Sequence, residues 1–323
     1  MSAPAASAFD LALIQAPAPF LRLAAGLERA AELVHAAAES GASLVVFPET
    51  WLLGYPLWVD LAPRAACWGE EGARELHQAL LENAVSLGDA SFERLLSISR
   101  ETGVHLAMGL HERFGGTLYN TLLFCAPDET WAIRRKLVPT HGERLVWGRG
   151  DGSTLEVFES ELGRLGGLIC WEHWMPLLRA AMQAQRETLH IAQWPSVKDL
   201  HLMASRTYAF EARCYVAAAG CAMQKGALLE GSTLPAAARG LFASIPGDDD
   251  AWVLDGGSTW ISPEGDVIGG PIPPSAPWLL ARYEPGAIER ALLTFDGQGH
   301  YARPDVFELH VDTRPRPLVR FEP

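Results

Sequence analysis

The chain carries no recognisable covalent or metal staple. Its five cysteines, Cys67, Cys125, Cys170, Cys214 and Cys221, are odd in number and irregular in spacing, which is not a disulfide framework. It has no C-x-x-C pair and no H-E-x-x-H, so no zinc motif is written into it. Basic residues are few. Against 39 Asp and Glu stand 26 Lys and Arg, a net charge of −13, which argues against a nucleic-acid partner or an anionic membrane surface, since both need clustered cations. No uncharged apolar run approaches the roughly 18 residues of a membrane span. The segment from Met1 to Phe9 has no basic residue ahead of its apolar stretch, unlike a secretory signal. These absences predict a reducing, cytoplasmic setting and a protein without metal or organic cofactor.

What is present is a large apolar core and a regular alternation. The 323 residues are 49% hydrophobic and 20% charged, enough to fold without staples. Leu11 to Gln15 reads as a buried strand. Leu21 to Glu39 reads as a helix, with Leu23, Leu27, Ala30, Ala31 and Val34 on one face. Strands are expected at Leu44–Phe47, Val104–Leu110, Leu118–Cys125, Leu165–Ile169, Thr188–Ala192 and Tyr215–Ala219. Further helices are expected at Ala90–Thr102, from Met175 to Gln185 and at Lys198–Arg213. A hairpin is expected from Thr259 to Gly269 around Pro263-Glu264-Gly265-Asp266, and a final strand at Ala291–Phe295. Strands alternating with helices predict an α/β fold with a layered sheet. No repeat or linker divides the chain. It reads as one unit over 1–295, with Gly226 to Asp250 as a long surface loop. A tail over 296–323 carries Pro304, Pro315, Pro317 and Pro323, and is expected to pack on something else, such as a neighbouring subunit.

Open α/β sheets collect their active sites at the carboxyl ends of strands, and three reactive residues stand there. Cys170 ends the run Gly-Gly-Leu-Ile-Cys and is a candidate nucleophile; only its thiolate attacks well, so it needs a base or cation nearby. The alternative is a buried structural cysteine. Glu49 follows Leu44–Phe47 and Pro48. Apolar neighbours should raise its pKa toward that of a base working near neutrality, and the alternative is a turn carboxylate. Lys136 follows the run Trp131–Ile133 and offers a cation where negative charge develops; the alternative is a solvated basic turn with Arg134 and Arg135.

Taken together, Phe47-Pro48-Glu49, Arg135-Lys136-Leu137 and Cys170-Trp171-Glu172 resemble the Glu–Lys–Cys triad of the nitrilase superfamily. The stretch Lys136-Leu137-Val138-Pro139-Thr140-His141-Gly142-Glu143-Arg144, followed by Trp147-Gly148-Arg149-Gly150-Asp151-Gly152, is similar to the signature of its true nitrilase branch. So are Cys170 to Leu177 and Gly299-His300-Tyr301-Ala302-Arg303-Pro304-Asp305. The resemblance spans about Phe9 to Phe307. One departure is His173, where many relatives carry Asn.

The resemblance implies a four-layer α-β-β-α sandwich. It implies Cys170 as nucleophile, Glu49 as base, Lys136 as cationic stabiliser and Glu143 as a second glutamate that orients the lysine. It also implies a homodimer or larger homo-oligomer, in some relatives a spiral, with the helices after Cys170 and at Lys198–Arg213 as candidate interfaces. Tyr55, His141, Trp147, Trp171, Trp194 and Pro195 are expected around the substrate, and aromatic walls suit an apolar nitrile. The activity implied is hydrolysis of a nitrile to an acid and ammonia. The same triad also serves an amidase or carbamoylase, or a cyanide-degrading enzyme. An acyl transferase would be expected to carry an additional domain, and a non-catalytic scaffold would be expected to have lost part of the triad.

Overall fold

In the computed structural model, which describes residues 7–230, 233–316 and 319, the alternating runs form two six-stranded sheets. The strands are β1 (Phe9–Ile14), β2 (Ala42–Val46), β3 (His105–Phe114), β4 (Thr117–Cys125), β5 (Trp131–Arg135), β6 (Phe158–Ser160), β7 (Gly163–Ile169), β8 (Leu189–Gln193), β9 (Tyr215–Ala219), β10 (Ala222–Gln224), β11 (Trp252–Asp255), β12 (Thr259–Ile261), β13 (Val267–Gly269) and β14 (Trp278–Tyr283). The helices are α1 (Leu23–Glu39), α2 (Trp58–Leu61), α3 (Glu71–Asn83), α4 (Ala90–Thr102), α5 (Pro176–Gln183), α6 (Asp199–Ala212), α7 (Ala236–Ala243) and α8 (Pro285–Ala291). The first sheet runs β14-β1-β2-β3-β4-β5, the second β13-β12-β9-β8-β7-β6, and β10 pairs with β11 apart from both. Each large sheet has a parallel centre, β1-β2-β3 in one and β7-β8-β9 in the other, flanked by antiparallel strands.

The period-two pattern of each strand sends alternate residues to opposite faces. Leu11, Leu13, Leu44 and Val46 share one buried cluster with Leu168, Ile169, Ile191 and Ala217 of the second sheet. Their neighbours Ala12, Ile14 and Val45 pack instead with Leu27, Ala30 and Val34 of α1 and Phe92, Leu95 and Ile98 of α4. On the other side, Leu178 and Met182 of α5 and Ala204, Tyr208 and Ala209 of α6 cover the second sheet. The result is helix, sheet, sheet, helix, the four-layer sandwich. Among the described residues no helix is long and apolar enough to cross a membrane.

Two expectations are corrected. Gly226–Asp250 is not simply a surface loop. It contains α7, whose Ala238, Leu241 and Phe242 are buried in a cluster with Leu76 and Leu80 of α3. Ala291–Phe295 is not a strand. Pro285 occupies the first turn of α8, which runs through Ala291, and the last strand is β14, antiparallel to β1. A five-residue apolar run has no period long enough to separate the two states. Among the described residues of the proline-rich segment, 296–316 and 319, there is no helix or strand. Residues 303–316 are exposed, and the Arg316 N–H donates to Asp151 Oδ2 at 2.7 Å. Pro317 and Pro323 lie outside the described residues.

Candidate active site

Two antiparallel steps make β5 run in the same direction as β3 and β2. The carboxyl ends of β2 and β5 therefore open on one edge, and Glu49 and Lys136 follow them. Cys170 follows β7 of the other sheet. Backbone details hold these ends in place. Gly109 on β3 lets the Glu49 segment come close, since a Cβ there would lie 2.0 Å from the Pro48 carbonyl oxygen. Gln193 at the end of β8 reaches across the sandwich, its Nε2 donating to the Phe47 carbonyl at 2.8 Å. The buried Glu172 ties the sheets again. Its Oε1 accepts from Leu137 N at 2.7 Å, its Oε2 from Ile169 N at 2.9 Å, and Arg134 bonds it at 2.8 Å. Cys170 itself has φ +56°, left-handed for a residue with a side chain, an arrangement costing on the order of 1 kcal/mol that the surrounding bonds must hold.

The structure brings Glu49, Lys136, Glu143 and Cys170 into one buried group. Lys136 Nζ donates to Glu49 Oε1 at 2.8 Å and lies 2.9 and 2.7 Å from the two Glu143 oxygens. One atom each from Glu49, Glu143 and Cys170 fall within 4.8 Å of one another. That spacing would suit a small cation, yet the Lys136 ammonium already bonds both carboxylates and supplies the positive charge. Glu143 is held at the start of a 3₁₀ turn, where its Oε2 accepts from Thr140 N at 2.6 Å. The Tyr55 hydroxyl is 3.0 Å from both Glu143 Oε1 and Asp60 Oδ2, and its single proton serves one of them at a time.

Burial sets the electrostatics. Desolvation, helped by Glu143 and opposed by Lys136 and Asn120, lifts the Glu49 pKa from 4.5 to about 7. Burial works against the Lys136 ammonium, but Glu49, Cys170 and Glu143 outweigh it and raise its pKa, so it stays charged. Burial, then Glu49, pushes the Cys170 thiol well above its ordinary value despite Lys136. Cys170 is thus a thiol at rest, beside a carboxyl that titrates near neutrality. Glu49 Oε2 has no hydrogen-bond partner, which leaves it open to take a proton.

A cavity of about 330 Å³ opens above this group. That is at the small end of ligand pockets, which span roughly 300–1,000 Å³. Tyr55, His141, Trp171 and Pro195 line it, with Glu143 and Cys170 at its floor. Leu57, Leu61, Val253 and Leu254 make an aliphatic wall, and Asp60, Lys198 and His201 add polar groups. Trp147 and Trp194 do not line the cavity. Trp147 is buried behind Tyr55, donating to His111 Nδ1 at 3.0 Å with its ring 5.7 Å from Lys136 Nζ. Trp194 is fully buried, stacked between His173 and His201 at 4.7 and 4.5 Å. Both carry an N–H that a bulky indole must satisfy inside the protein, and that need draws them away from the opening.

Asn120 escaped the sequence reading. Its Nδ2 donates to Glu49 Oε1 at 2.7 Å and its backbone carbonyl accepts from Lys136 N at 2.8 Å. The available signal was an amide in the otherwise apolar run Thr121–Cys125 and its lead-in. Asp60 and the aliphatic wall escaped because they lie on α2, at Leu57 just before it, and on β11, elements too short to show a period.

The sequence matches the carbon-nitrogen hydrolase family over residues 10–279. The chain belongs to the carbon-nitrogen hydrolase family. This hydrolase is 36% identical over 312 residues to a nitrilase of Bradyrhizobium diazoefficiens, covering 96% of this chain and 94% of that one. It is 35% identical over 311 residues to an aliphatic nitrilase of Sinorhizobium fredii, covering 96% and 98%. Such full-length identity puts it in the nitrilase branch. In fold it is similar to Nit3 of Saccharomyces cerevisiae, a member of branch 10 of the nitrilase superfamily, with a TM-score of 0.66 at 17% identity over 93% of this chain and 98% of that one.

Proposed function

We propose that this chain is a nitrilase that converts an organic nitrile and two waters into a carboxylic acid and ammonia, with Cys170 as nucleophile. The observation that carries this reading is the Cys170 thiol within 4.8 Å of Glu49, a base brought to about 7 and itself bonded to Lys136. Cys170 Sγ attacks the nitrile carbon, and Glu49 takes the thiol proton as the C–S bond forms. One π bond of the nitrile breaks, and the nitrogen collects the electron pair. Lys136 and the Trp171 N–H stabilise that charge. The proton then passes from Glu49 to nitrogen, giving a thioimidate. Water adds, ammonia leaves, and a thioester remains. A second water, deprotonated by Glu49, releases the acid and restores the thiol. Glu143 holds Lys136 in line. The apolar wall and Trp171 take the body of the substrate, while Tyr55, His141 and Pro195 shape the entrance.

The test is ammonia release from an aromatic nitrile, an arylacetonitrile, an aliphatic dinitrile, cyanide and the matching amides. Wild type should turn over nitriles, and Cys170→Ala should be silent while remaining folded. Glu49→Gln and Lys136→Ala should each lose about 100-fold or more. Activity on the amides alone would overturn the nitrile assignment and leave an amidase.

We further propose that the protein is cytoplasmic and works as a homo-oligomer, with the segment from Asp296 onward packing on a second copy. Leu177 at the start of α5 and Met203 and Phe210 on α6 are exposed, which supports a surface that another copy covers.

A further inference from the structure

Behind the nucleophile runs a buried chain of polar side chains that the chemistry above does not use. His173 Nδ1 is 2.8 Å from the Cys170 carbonyl oxygen, and His173 Nε2 is 3.0 Å from His190 Nε2. His190 Nδ1 is 2.8 Å from Glu187 Oε2, and the Tyr208 hydroxyl donates to Glu187 Oε1. All four residues are at most 3% exposed.

The direction of the chain follows from what each atom can do. A carbonyl oxygen only accepts, so His173 Nδ1 carries the hydrogen. Burial, then His190, keeps the His173 pKa well below its ordinary value, so its ring is neutral and Nε2 accepts. His190 Nε2 must then donate. One proton sits between His190 Nδ1 and Glu187 Oε2, on either atom. Every polar group in the chain has a partner, and the two bonds nearest the nucleophile, His190 to His173 and His173 to the Cys170 carbonyl, both point toward that carbonyl. The arrangement is also built into the sheet. Gly166 on β7 leaves the space that Glu187 fills, since a Cβ there would lie 1.6 Å from Glu187 Oε2.

That carbonyl belongs to the same peptide group as the Trp171 N–H, which favours the Cys170 thiolate. We infer that the Tyr208–Glu187–His190–His173 chain polarises the Cys170–Trp171 peptide and fixes its left-handed turn, so that the Trp171 N–H is a stronger and better-aimed donor to the charge formed in catalysis. Aligned hydrogen bonds strengthen one another by about 10–30% each. The four residues are positioning residues, since none lines the cavity. The inference rests on the role proposed for the Trp171 N–H.

The test uses His173→Leu, Glu187→Gln and Tyr208→Phe in the full chain. Glu187→Gln keeps the shape and removes the carboxylate. Tyr208→Phe removes only the outermost donor, so both keep the question open to test should His173→Leu fail to fold. Three quantities are read: kcat and KM on a nitrile, the melting temperature, and the pH midpoint for alkylation of Cys170 by iodoacetamide, followed on its own peptide to separate it from exposed Cys67. The groups facing Cys170 are Glu49, Lys136, Glu143 and Tyr55; those facing His173 are His190, Arg179 of α5 and His201 of α6. All of these are left in place in Glu187→Gln and Tyr208→Phe.

Outright loss of one such donor costs about 100-fold or more in kcat. Weakening it should cost less: about 10-fold in Glu187→Gln and a few-fold in Tyr208→Phe, with KM within about twofold and the alkylation midpoint moved upward. Wild-type kcat with an unmoved midpoint in both variants would overturn the inference. So would a lowered melting temperature with an unmoved midpoint, because the chain would then be packing alone. If wild type turns over no nitrile, the proposed function fails, and the alkylation midpoint still decides for or against the chain.

Discussion

Glu49 shows how burial turns an ordinary carboxylate into a base. Its pKa near 7 predicts that kcat/KM rises with pH and reaches half its plateau near 7, because only the deprotonated form takes the thiol proton. A pH–rate profile checks this, and a flat profile from pH 5 to 8 would refute it. The same shift bears on stability. The folded pKa is above the unfolded value, so the native protein holds this proton more tightly. That contribution is complete below about 4.5 and is lost as pH rises through about 7. Wild type should therefore lose melting temperature relative to Glu49→Gln between pH 4.5 and 8. Glu172 is the other residue on which the site depends. Glu172→Gln leaves Arg134 buried without its counter-charge, and losing one partner of such a pair costs about 3–5 kcal/mol. Urea unfolding should report a loss of that size, with activity falling because glutamine keeps a single acceptor oxygen, so that either Leu137 N or Ile169 N loses its partner.

At the scale of elements, α4 shows how far local chemistry reaches. Asp89 caps it by accepting from Ser91 N at 2.9 Å and Phe92 N at 2.8 Å, and Gly103 closes it at φ +69°. Those signals stand in the sequence, and the helix spans the expected residues, Ala90–Thr102. Asp89→Ala should cost about 1 kcal/mol in urea unfolding and leave catalysis unchanged, since the cap lies outside the cavity lining. The hairpin of β12 and β13 was legible for the same reason, through Pro263 to Asp266. Where such punctuation was thin, the reading failed. The segment Pro235–Ala243 lacks a polar cap on α7, and its helix is stabilised by burying Leu241 and Phe242 against α3, a contact between residues about 160 positions apart.

For the whole molecule, the two sheets meet through alternate faces of their strands, and that meeting creates the site: Glu49 and Lys136 arrive from one sheet and Cys170 from the other. The outer faces of α5 and α6 and the tail remain exposed. Light scattering should find a homodimer or larger species, and truncation after Phe295 should lower its size. A full-length monomer at micromolar concentration would sink the oligomer proposal.

The sequence by itself determined the α/β class and most strand positions, because apolar periods are local signals; strand ends offered Glu49, Lys136 and Cys170 only as candidates, and the family resemblance joined them into one group. Its motif stretches also marked Glu143. Only the tertiary structure decided which aromatics face the cavity. Trp147 and Trp194 sit near the group in sequence, yet their indole N–H groups are satisfied inward by His111 and Ser205. It alone brought in Asn120, the Leu57, Leu61, Val253 and Leu254 wall, and the chain from Tyr208 to His173. Each depends on side chains from separate elements meeting in space, and no local pattern records such a meeting.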